Sequence, residues 1–239
     1  MALFPTTTWS TLNLLHRGHD EDARAALGRL CELYWQPLYG YLRGSRQNPE
    51  EAKDLVQSYF VHLLESKALS RVDPSKGRFR SFLIASLKNF VANQRRHANA
   101  QKRAPEAGFV SLDVDGAEHR YIELARDELT PEQQFERNWA ITLIERGVER
   151  LRDEECKAGR ETAFEAVSAH VLGAGKRPPY RQVAAGLGIS EAAVKVRVSR
   201  MRKRLGRLLY EEVRSTVAAE DDVAGELRHL LALWGEARV

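Results

Sequence analysis

Apolar residues spaced three and four apart constrain this chain more than any other feature. In GISEAAVKVRVSRMRKRL, Gly188 to Leu205, the residues Val194, Val198, Met201 and Leu205 are separated by four, three and four positions. At about 100° per residue such steps draw one stripe down one side of an α-helix. The same period runs through Phe79, Phe82, Leu83, Ser86, Leu87 and Phe90, and through residues 21–42, whereas no run of alternating, β-branched residues and no internal repeat occurs. The expected class is all-α: two small helical domains joined by an acidic flexible linker, the second containing a helix-turn-helix.

Helix boundaries follow from local chemistry. Residues 21–42 read as a helix that Pro37 should kink or end, since proline lacks the N–H and its ring meets the preceding turn. Asn48 is placed to cap the next helix, with Pro49 at its first position and Glu50 and Glu51 beside its positive end. A loop is expected at RVDPSKGRF, followed by the Phe79 stripe with Arg80, Lys88 and Arg95 on its other side. Residues 104–130, rich in Asp, Glu, Gly and Pro, read as the linker. Thr130 and Pro131 begin the next helix, and Gly173 ends the one after it. These signals divide the chain into an N-terminal domain 1–103, a linker 104–130, a helix-turn-helix domain 131–207 and a C-terminal extension 208–239.

Charge is segregated. The 239 residues carry a formal net charge of +4, but residues 71–103 net about +8, residues 104–155 about −8 and residues 176–207 about +9. A block of like charge is also ordinary solvated surface; two such blocks on helices point to a polyanion partner. Enzyme chemistry is poorly served. Cys31 and Cys156 are the only cysteines, too few and too distant for a disulfide framework, and the seven histidines form no metal-spaced set, so no cofactor or metal is expected. GAGK at 173–176 is no phosphate loop, because that pattern needs glycine where His170 stands and a hydroxyl where Arg177 stands. Lacking a signal-like start and any apolar run of about 18 residues, the chain is expected to be cytoplasmic and reduced, with no membrane partner.

Two basic elements carry recognition chemistry. In RPPYRQVAAGLGISEAAVKVRVSRMRKRL, Val183, Ala184 and Leu187 face inward, Gly188 allows a tight turn, and Ser190 caps a second helix with Glu191 in its first turn. Lys195, Val196, Ser199, Arg200 and Lys203 then lie outward, with Arg197, Arg202 and Arg204 on the shoulders. A major groove offers phosphates to the cations, guanine edges to arginine and thymine methyls to the valine. In GRFRSFLIASLKNFVANQRRHANAQKR the three phenylalanines read as core rather than as stacking platforms. Asn89, Asn93, Arg95, Arg96 and His97 are the candidates to read base edges.

With these pieces in order, nearly the whole chain resembles the extracytoplasmic-function sigma factors of bacterial RNA polymerase. The resemblance rests on YWQPLYGYLRGSRQNPEEAKDLVQSYFVHLLE, on GRFRSFLIASLKNFVANQRR and on YRQVAAGLGISEAAVKVRVSRMRKRL, with DLVQ at 54–57 similar to that family's polymerase-binding signature. It implies a non-enzymatic subunit that binds core polymerase through the β′ clamp and the β flap and directs promoter recognition, melting and initiation. On that reading Asp54, Leu55, Gln57 and Phe60 contact polymerase. Lys88, Asn89, Asn93, Arg95 and Arg96 serve the minus-10 element as melted non-template strand. Arg181, Lys195, Val196, Arg197, Ser199, Arg200 and Lys203 serve the minus-35 element as duplex.

The C-terminal extension departs from the family minimum. Leu227, Leu230, Leu231 and Trp234 are at helical spacing, and a cap packed on the second domain is expected there. A surface that masks DNA, or that receives an anti-sigma or other regulatory partner, is the other reading. A stand-alone helix-turn-helix regulator remains the alternative function; such proteins commonly dimerise on two half-sites.

Overall fold

The computed structural model describes residues 20–66, 69, 78–98, 114–124, 128–173, 177–214 and 223–236. These form helices α1 (Asp20–Gly44), α2 (Pro49–Glu65), α3 (Phe79–Ala98), α4 (Val114–Leu124), α5 (Pro131–Lys157), α6 (Glu161–Leu172), α7 (Tyr180–Leu187), α8 (Glu191–Arg214) and α9 (Val223–Glu236). No strand occurs among the described residues. The expected loop at 71–77, the first part of the linker and the His97 side chain lie outside them.

The chain divides into two compact units, residues 1–142 with 214–237, and residues 143–213 with 238–239. In the first, α1 packs on α2 and α4, and α2 on α3. Its core is Tyr34, Leu38, Leu42, Val56, Tyr59, Leu63, Phe79, Leu83, Leu87, Phe135 and Trp139, all essentially without solvent contact. Tyr34 meets Phe79 edge to face with ring centroids 5.5 Å apart, a favoured aromatic geometry. The Asn48 side chain accepts from the Glu51 N–H at 2.9 Å, the cap the sequence suggested, and the Glu51 carboxylate reaches back to the Asn48 N–H, closing a capping box.

Four expectations need correction. Helix α1 continues through Pro37 and does not end there. Buried Leu33, Tyr34, Leu38 and Tyr41 on both sides of the proline hold the helix together, so packing offsets the lost backbone bond. The linker contains a docked helix rather than coil throughout: Arg43 on α1 donates from Nε and Nη2 to Glu118 on α4 at 2.8 and 2.7 Å, and Tyr39 donates to the same carboxylate at 2.5 Å. The Arg43 hydrogen bonds hold the Glu118 carboxyl below the usual range.

Arg80 is not on an outward face but buried, only 2% exposed. Its guanidinium lies 4.3 Å from the Trp139 ring centroid, bonds Glu136 at 2.8 Å and pairs with Glu226. Finally, α9 groups with the first unit rather than capping the second. Val223, Glu226 and Leu230 are wholly buried, Arg78 pairs with Glu226 at 3.2 Å, and His229 meets Glu136 at 3.0 Å. The basic start of α3 supplies the opposite charge that a buried glutamate requires.

In the second unit the C-terminal part of α5 packs on α8. A side chain at Gly147 would stand 2.7 Å from Leu209 Cδ2, so glycine permits the close approach. Arg150 joins Glu211 and Glu212 at 2.7 Å each. Helices α6 and α7 are in contact, and Gly173 ends α6 with φ +66°.

Candidate nucleic-acid interface

Helix α2 buries Ala52, Val56, Tyr59, Phe60 and Leu63 and turns its other side out. Asp54 is exposed there, with Leu55 and Gln57 half-buried, three of the four expected polymerase contacts. Phe60 departs from them. It is 6% exposed, with its ring centroid 6.2 Å from that of Tyr59, and is a core residue. Its position three after Gln57 also places it four after Val56, on the inner stripe, where its ring is buried.

Helix α3 presents the first cationic surface. Its inner stripe is as the spacing predicts, with Phe79, Leu83, Leu87 and Phe90 buried. Lys88, Asn89, Asn93, Arg95 and Arg96 are all exposed. The structure brings Asn89 and Asn93 together on an open cavity of about 550 Å3, walled by His62, Phe82, Phe90 and Gln94. His62 and Phe90 have ring centroids 5.1 Å apart. Phenylalanines read only as core thus also form the cavity wall, and His62 was missed because a lone histidine in an apolar helix gives no signal of its own.

Arg96 donates to the Asn93 side chain at 2.6 Å and fixes that amide, so the exposed edge presented by Asn93 is oriented in advance. Lys88 and Arg95 do not line the cavity. Lys88 is held by Glu132 at 2.5 Å, which lifts its pKa by hydrogen bonding.

Helix α8 presents the second surface. Gly188, at φ +64° in the left-handed region that favours glycine, donates to Ala184 and Ala185 and turns the chain between α7 and α8. The Ala193 N–H donates to the Ser190 hydroxyl at 3.2 Å, the expected cap. Val194, Val198, Met201 and Leu205 are buried, and Val196 is 49% exposed.

Val196, Arg197, Arg200 and Lys203 converge on a concavity of about 860 Å3. Arg181, Lys195 and Ser199 are exposed without lining it; Lys195 pairs with Glu191 at 2.9 Å and lies 5.6 Å from the Tyr180 ring centroid. The shoulder residues differ in kind. Arg202 donates to the His170 carbonyl at 2.6 and 3.2 Å, and Arg204 grips Glu154 at 2.5 and 2.7 Å, so both are engaged within the unit. Their positions in so cationic a helix gave no means of separating them from Arg200 and Lys203.

Among the described residues no cluster of histidine, cysteine or acidic side chains is arranged for a metal, and no helix is long and apolar enough to cross a membrane. Burial, and after it the neighbouring Glu32, pushes the Cys31 thiol up to about 12, far from a reactive thiolate.

Comparisons with curated proteins and with solved structures return no match. Residues 30–101, most of α1 together with α2 and α3, match the model of the Sigma-70 region 2 family. That match covers less than a third of the chain and makes these three helices similar to region 2 of sigma factors, non-enzymatic transcription initiation factors whose region 2 binds core RNA polymerase and promoter DNA.

Proposed function

We propose that the chain is a sigma factor of the extracytoplasmic-function type, acting in the cytoplasm to bring core polymerase to promoters. The observation that carries the reading is the outward placement of exposed Asp54 and half-buried Gln57 on one helix of the matched region while the adjoining helix sets Asn89 and Asn93 on a cavity with aromatic walls. Asp54, Leu55 and Gln57 contact the β′ clamp. Polar and charged groups beside half-buried apolar atoms are suited to a protein interface.

Asn89 and Asn93 take an unpaired base of the melted minus-10 strand, with Phe82 and Phe90 giving it an apolar wall. Unstacking a base costs a few kcal/mol, which such a cavity offsets. Lys88, Arg95 and Arg96 follow the strand backbone. In the second unit, α7 and α8 act as the helix-turn-helix for the minus-35 duplex and the β flap. There Val196 meets a thymine methyl, Arg200 reads a base edge, and Arg181, Lys195, Arg197, Ser199 and Lys203 take phosphates. An anti-sigma or other regulatory partner would find an apolar contact on α9 at Leu231, which is 48% exposed.

A pull-down with core polymerase tests the first assignment. Changing Asp54→Ala together with Gln57→Ala is expected to lower capture at least tenfold, in the range of an interface hot spot. Undiminished capture would contradict it.

A further inference from the structure

The concavity beside α8 has a second wall that recognition by α8 alone does not explain. It is made by Glu154 and Glu155 at the end of α5 and by Arg160, the residue before α6. Two arginine–carboxylate forks stand on it. Arg204 holds both oxygens of Glu154, and Arg160 holds both oxygens of Glu155 at 2.7 and 2.9 Å. Arg207 completes the cationic lining.

Guanidinium takes a carboxylate and a phosphate through the same two parallel hydrogen bonds. A carboxylate seated on an arginine that faces a cationic concavity therefore occupies the place a phosphodiester oxygen would take. It also repels any phosphate approaching Arg197 or Lys203 nearby. The Arg204–Glu154 pair is open on both sides, at 32% and 39% exposed, whereas in the other pair Arg160 is 49% exposed and Glu155 only 12%. Solvent-exposed pairs such as Arg204–Glu154 are weak enough for an incoming polyanion to displace. Hydrogen bonds from Arg204 and Arg160 hold the Glu154 and Glu155 carboxyls below the usual range, so both glutamates are charged at neutral pH.

We propose that Glu154 and Glu155 are internal competitors for the DNA backbone, and that Arg160 and Arg204 are phosphate contacts they occupy until duplex arrives. The proposal rests on the reading of α8 as the duplex-binding helix. It makes the affinity of the second unit for any duplex lower, and less steep in salt, than its cations alone would give. Binding at phosphates is independent of sequence, so a mixed-sequence probe suffices.

The test is fluorescence anisotropy of the full chain on a labelled mixed-sequence duplex over a series of salt concentrations. Glu154→Gln with Glu155→Gln should tighten binding about three- to tenfold at low salt and steepen the salt dependence by about one to two released ions. Adding Arg160→Ala to that pair should lose about half the gain. Should the double variant fail to fold, Glu154→Gln alone carries the same test with a smaller gain. Arg200→Ala with Lys203→Ala in the parental chain separates the two readings. If that pair weakens binding while the glutamine variants bind no tighter than the parent, the competitor proposal is overturned alone. If that pair leaves binding unchanged, the duplex-binding role of α8 is overturned, and the competitor proposal with it.

Discussion

At the scale of single residues, cost depends on what burial leaves unpaired. Arg80 and Lys88 sit eight positions apart on α3, and both are paired with glutamate. The Lys88–Glu132 pair has both members nearly half exposed, so Lys88→Ala should change stability by less than about 0.5 kcal/mol. Arg80 is buried beside a wholly buried Glu226, and Arg80→Ala should cost about 3–5 kcal/mol because it strands that carboxylate. Replacing both, as Arg80→Met with Glu226→Leu, should be less damaging than the arginine change alone. Urea unfolding curves check all three, and equal losses for Arg80→Ala and Lys88→Ala would refute the distinction. Sequence reading placed Asn48, Gly188 and Ser190 in their structural roles because a cap or a left-handed turn depends on neighbours in the chain. It misplaced Arg80 because its environment is built by Glu136 and Glu226, far along the chain.

At the scale of elements, the helices of the matched region and of the α7–α8 pair were legible from period and caps, whereas docked α4 and α9 were legible only as helical spacing or acidity. What holds each of them is a carboxylate placed against a distant arginine, Glu118 on Arg43 and Glu226 on Arg80. The Glu118 attachment has a predictable pH response. Its carboxyl is depressed below 4.5 in the folded chain, so its contribution is complete above that value and is lost as pH falls through the lower, folded value. Glu118→Gln should therefore raise hydrogen exchange in α4 at neutral pH and remove most of its acid sensitivity. Deleting residues 215–239 should raise exchange at the start of α3, where Arg78 and Arg80 lose Glu226, and leave α8 protected. Unaltered exchange in α3 would mean that α9 is not what closes the first unit.

At the scale of the whole molecule, the near-neutral total conceals a cationic helix surface in each unit, offset by acids in the linker, in α5 and in the extension. Segregation of this kind was plain from the sequence, since charge sums need no tertiary information. Which cations remain available for a partner was not, since that depends on Glu132, Glu154 and Glu155 and their local geometry. On the proposed function, the chain is a subunit that lends promoter selectivity to a polymerase and performs no chemistry itself. Run-off transcription by core polymerase on a promoter library, with and without the chain, tests this most directly. Transcripts with defined start sites should appear only when the chain is added. An identical transcript pattern with and without it would contradict the account.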